Sequence, residues 1–86
     1  MARVLVIHYT NKGKLSFSKI NQNELLFRAG EWLKANPDVK FNGTFADKNG
    51  VGISDWEAPS IAKVKQAVDS LKVPYDTIVE VTKVLP

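Results

Sequence analysis

The stretch from Arg3 to Thr10, Arg-Val-Leu-Val-Ile-His-Tyr-Thr, is β-branched and aromatic and contains no breaker. It reads as a strand with two mostly apolar sides, Val4, Val6 and His8 on one and Leu5, Ile7 and Tyr9 on the other, since side chains alternate along a strand. A strand apolar on both sides belongs in the middle of a sheet covered on both faces. The first element is therefore expected at the centre of the fold.

The later segments differ in character. Asn11 to Gln22 reads as a loop opened by Asn11-Lys12-Gly13-Lys14, long for a small domain and a candidate lid. From Asn23 to Ala35, Leu26, Ala29, Gly30 and Leu33 recur at helical spacing, with Phe27 and Trp32 beside the stripe. Asn36-Pro37-Asp38 ends that helix, because proline disfavours helical geometry at the residue before it. Val39 to Asp47 alternates as a strand, with Val39, Phe41 and Phe45 predicted on one side and Lys40, Asn42 and Thr44 on the other. Asp47-Lys48-Asn49-Gly50 supplies a hairpin turn, and Val51 to Trp56 returns. Pro59 suits the first turn of a second helix, whose Ile61, Val64, Val68 and Leu71 give the cleanest amphipathic pattern in the chain. Tyr75 to Leu85 is the last strand.

The order β-α-β-β-α-β predicts an α+β, ferredoxin-like domain spanning residues 1–86, with an antiparallel sheet in the spatial order 4-1-3-2. Two helices cover one face of such a sheet. The other carries Leu5, Ile7, Val51 and Ile53, an apolar patch of the kind that marks an interface. A homodimer joined face to face through these residues is the expected assembly.

Composition limits the chemistry. At 86 residues the chain has room for one small core, and domains of this size commonly need a disulfide, a metal or a partner subunit as well. There is no cysteine, which excludes disulfides and thiolate chemistry, and the single histidine, His8, excludes a multi-histidine metal site within one chain. Oligomerisation remains. The net charge of +3 is too small to argue for nucleic acid. The longest apolar run, Val4 to Ile7, is far short of a membrane span. With no cleavable leader of the usual length at Met1-Ala2-Arg3, the chain reads as cytoplasmic.

The RNA-recognition module shares this element order, but it stacks bases on sheet aromatics. In the matching stretch Asn49 to Trp56 the stacking positions hold Val51 and Ile53, the basic start holds Asn49, and the first strand offers Leu5. Nucleic-acid binding of that kind is not expected. From Gly43 onward the chain resembles small dimeric α/β-barrel proteins instead. The residues that carry the resemblance are Gly50-Val51-Gly52-Ile53, the helix start Glu57-Ala58-Pro59, and the ending Tyr75 to Leu85. That ending is similar to an uncharacterised family of small bacterial and archaeal proteins and to muconolactone isomerases. The resemblance implies two sheets paired into a barrel with a pocket in each subunit, and covers isomerases, cofactor-free monooxygenases and proteins without known activity.

Few residues offer chemistry. His8 is the only side chain that ordinarily titrates near neutrality and is the candidate general acid or base; the plainer reading is a hydrogen-bonded residue at the edge of the core. Phe27, Trp32 and Tyr75 are the candidate ligand contacts around the same pocket mouth. Asp55 and Glu57 share a side and have the makings of an acid–base pair, or cap the following helix. Glu80 fits an edge strand with one wet side. Gly50 and Gly52 lack the lysine and hydroxyl residue of a phosphate loop, and there is no serine elbow, metal spacing or cofactor motif. The reading is a small homodimeric protein that binds an apolar organic ligand without a cofactor. The alternatives are an isomerase or monooxygenase-like enzyme with His8 as proton carrier, and a structural or regulatory subunit.

Overall fold

The computed structural model describes residues 1–8 and 22–85. Its elements are β1 (Ala2–His8), α1 (Gln22–Ala35), β2 (Lys40–Ala46), β3 (Gly52–Ala58), α2 (Ile61–Leu71) and β4 (Thr77–Val81). The candidate lid at Asn11 to Gln22 falls outside the described residues, apart from Gln22 at the start of α1. The four strands form one sheet in the order β2-β3-β1-β4, antiparallel throughout. This is the ferredoxin-like α+β arrangement, with both apolar sides of β1 in the middle of the sheet.

Register divides the residues between two faces. Val4 lies opposite Trp56, Val6 opposite Ser54, and His8 opposite Gly52. These face the helices. Val4, Val6, Trp56 and Ala58 pack there against Val64, Ala67, Val68 and Leu71 of α2 to form the core. Each large apolar side chain so buried contributes roughly 1.5–3 kcal/mol. The fit is not free of cost, since the buried indole N–H of Trp56 has no hydrogen-bond partner among the described residues although its ring packs against Phe41, centroids 4.7 Å apart.

Local chemistry sets the ends of the elements. The Asn36 side chain donates to the Trp32 carbonyl at 2.8 Å and closes α1 ahead of Pro37. Ser60 caps α2, its hydroxyl accepting the Lys63 N–H at 3.3 Å. Lys72 ends that helix in the left-handed conformation, φ 57°. The expected turn forms at Asp47–Gly50, where the Asp47 carboxylate accepts the Asn49 and Val51 N–H groups and Gly50 has φ 86°.

Three expectations change. On α1 the half-buried residues against the core are Leu25, Ala29, Trp32 and Leu33, while Leu26 and Phe27 are 63% and 68% exposed. The adjacent pairs Leu25-Leu26 and Trp32-Leu33 support either stripe, and packing on α2 selects one. On β2, Phe41 lies opposite Trp56 but Gly43 lies opposite Asp55, so Asn42 is an extra residue in a β-bulge. Alternation resumes one residue late, which turns Thr44 toward the helices and Phe45 toward the open face. Asp55 and Glu57 also belong to the open face, where Asp55 binds Arg3 and Glu57 accepts from Asn42 at 3.1 Å. Ser60, not either carboxylate, caps α2.

Candidate functional site

A cavity of about 400 Å³ lies between α1, the helix-facing side of the sheet and α2. α2 packs on β3, β4 and β1, and α1 packs on α2. Leu25, Leu26 and Ala29 form one wall, Phe41 and Trp56 another, and Val68, Leu71 and Val73 the floor. Among the described residues the polar lining comprises His8, Ser54 and Thr44, with no Lys, Arg, Asp or Glu. An occupant of such a space is favoured if it is uncharged, because a charge enclosed without a partner is strongly disfavoured.

The three polar residues form a hydrogen-bonded chain. His8, 1% exposed, approaches the Pro74 carbonyl through Nδ1 at 2.7 Å and the Ser54 hydroxyl through Nε2 at 2.9 Å. A carbonyl only accepts, so Nδ1 carries the proton and, in the neutral ring, Nε2 accepts from Ser54. Ser54 Oγ lies 2.8 Å from Thr44 Oγ1 and accepts its proton in turn. Burial holds the imidazole below its ordinary value of 6.5, partly opposed by the Pro74 carbonyl and by Asp76.

The other residues singled out from the sequence are dispersed. Phe27 is exposed on α1 and Trp32 packs on the core, and neither lines the cavity. Tyr75 packs half-buried against the core and borders a separate shallow hollow with Lys72 and Pro74. Ser54 and Thr44 escaped sequence analysis for different reasons. Ser54 carries no local motif, and the bulge at Asn42 reverses the side on which Thr44 is counted.

On the open face Leu5 and Ile7 are half-buried and Ile53 is 40% exposed. Val51 lies before β3, its N–H bonded to Asp47. Phe45 and Val79, 67% and 40% exposed, extend this surface, for Phe45 lies opposite Ile53 and Val79 opposite Leu5. Among the described residues no three His, Asp or Glu side chains gather to hold a metal, and no helix is long and apolar enough to cross a membrane.

No family model matches the chain, and no curated protein matches it in sequence. Among solved structures it is similar to SCO4226 from Streptomyces coelicolor A3(2), with 22% identity and a TM-score of 0.69 over 98% of this chain and 100% of that one. At that identity the likeness establishes a shared fold of the same extent.

Proposed function

We propose that this protein binds a small, uncharged and mostly apolar organic molecule between sheet and helices, without a cofactor, and that two copies pair through their open sheet faces. One observation carries the reading: a 400 Å³ space with apolar walls and one hydrogen-bonding end, His8-Ser54-Thr44. Ligand sites are commonly of this size and make-up. Phe27 and Trp32 do not fill the space, which argues against a purely structural subunit. Pairing is supported by the run of Leu5, Ile7, Ile53, Phe45 and Val79 on one face. The rival enzyme reading draws on the place of His8 in the cavity wall. With Nδ1 held by the Pro74 carbonyl and Nε2 by the Ser54 hydroxyl, His8 in that reading acts through Ser54 and not on a free ligand alone.

Native mass spectrometry of the purified protein is the test. A dimer carrying additional small-molecule mass is expected. A bare monomer overturns both parts of the proposal, a ligand-bearing monomer removes the dimer, and a dimer that binds no added apolar probe removes the ligand site.

A further inference from the structure

We propose that Ser54 and His8 form a nucleophile–base pair that takes an acyl group from a small apolar ester admitted to the cavity. The inference rests on the cavity's admitting such molecules and goes beyond binding to a reaction. Ser54 Oγ and His8 Nε2 are 2.9 Å apart, within reach of proton transfer. The Pro74 carbonyl at 2.7 Å fixes the opposite nitrogen and so orients the base. A hydroxyl bonded to a base that is itself held by a third group is the arrangement that activates a serine. His8 and Ser54 both line the cavity, and the walls beside them suit an apolar acyl chain.

The charged groups around the base favour the same role. Burial keeps the imidazole neutral and able to accept a proton, while Asp76 is the carboxylate whose field favours the imidazolium that forms during attack.

In the reaction Ser54 Oγ bonds to the ester carbonyl carbon, and its proton passes to His8 Nε2. The carbonyl oxygen becomes the oxyanion. The bond from carbon to the leaving oxygen then breaks, and His8 returns the proton to that oxygen, releasing an alcohol and leaving acyl-Ser54. Water next adds to the acyl carbon, with His8 taking its proton. Collapse frees the carboxylic acid and restores the Ser54 hydroxyl. Thr44, its hydroxyl 2.8 Å from Ser54 Oγ, is the neighbouring donor to the oxyanion. Ser54 sits within β3, opposite Val6 and Thr44 in the two ladders, rather than on a turn with a pair of inward N–H groups. Slow turnover and accumulation of the acyl form are therefore expected.

The test mixes the protein with p-nitrophenyl butyrate and follows p-nitrophenolate release, intact mass and the peptide carrying the label. A burst approaching one equivalent per chain, with butyryl on Ser54, is expected. Ser54→Ala abolishes the burst, and His8→Ala slows it by about 100-fold or more, the usual contribution of a positioned base. Label on lysines alone, or a burst unchanged in Ser54→Ala, overturns the proposal. The wild-type peptide map decides it even if a variant fails to fold. Butyrophenone, an unreactive ketone of similar shape, separates the two readings when its binding is followed through the Trp56 indole resonance. Binding without acylation overturns the Ser54–His8 pair and spares the cavity, whereas neither event overturns both.

Discussion

Arg3 and Asp55 meet across the β1–β3 ladder on the open face, the guanidinium donating to both carboxylate oxygens at 3.1 and 2.6 Å. Arg3 is largely exposed while Asp55 is 8% exposed, so the carboxylate is the member that depends on the bond. The pair borders the apolar surface of Leu5, Ile7 and Ile53. A charge beside a surface proposed to be covered requires a partner, and Asp55 has one within its own chain.

Asp55 makes stability acid-dependent. The Arg3 hydrogen bond, assisted by one from Asn42, holds its carboxyl below the ordinary value of 3.8. This contribution is complete above that value and is lost as pH falls through the lower folded value, because the unfolded chain takes up the proton first. Thermal melts from pH 7 to 2 should show a drop below about pH 4 that is shallower in Asp55→Asn. Equal slopes would remove the pair from the account.

His8 acts in a higher window. Its folded value lies below 6.5, chiefly through burial, so the unfolded state binds the proton first on acidification. Its contribution is full above pH 6.5 and declines as pH falls toward the folded value. NMR titration of the imidazole should give a midpoint below 6.5, and His8→Gln should flatten the stability profile between pH 6.5 and the Asp55 window. A midpoint at or above the ordinary value contradicts the buried chain of hydrogen bonds.

Gly43 adopts φ +130° in the bulge, with nothing within 4 Å of an added Cβ. The cost of Gly43→Ala is therefore backbone strain and not collision, about 1–3 kcal/mol. Urea denaturation measures it, and a variant as stable as the parent would show that the bulge tolerates the side chain. The same substitution should displace Thr44, which NMR would register at Ser54 and His8.

Ile53 lies opposite both Ile7 and Phe45. Ile53→Lys or Ile7→Lys places an unpaired charge in the middle of the proposed interface and should convert a dimer to a monomer. Analytical ultracentrifugation at micromolar concentration reads the outcome. A variant as oligomeric as the parent assigns the pairing to another surface.

Lys72 holds the left-handed position at the end of α2 without being glycine. Lys72→Gly relieves that conformation and should stabilise the protein by about 0.5–1 kcal/mol, net of the entropy glycine loses on folding. The urea midpoint should rise with an unchanged slope. A fall in the midpoint would show that the Lys72 side chain contributes more than its backbone costs.

Much of the architecture was legible in the residues. The two apolar sides of Val4 to Ile7 identify a central strand, the spacing of Val64, Val68 and Leu71 identifies a helix with one buried face, and Asp47 to Gly50 spells a turn. These are local properties, since period and turn chemistry depend on neighbours within a few residues. The candidate site was legible only at His8. Its partners Ser54 and Pro74 stand 46 and 66 residues away, and no periodicity relates positions so far apart. Thr44 reaches Ser54 only because Asn42 is bulged. An alternating count has no record of one extra residue, yet that residue exchanges Thr44 and Phe45 between the two faces. The sequence alone thus determined which segments become strands and helices. Packing and register decided which side chains share a cavity, because strand pairing joins residues that the chain itself keeps far apart.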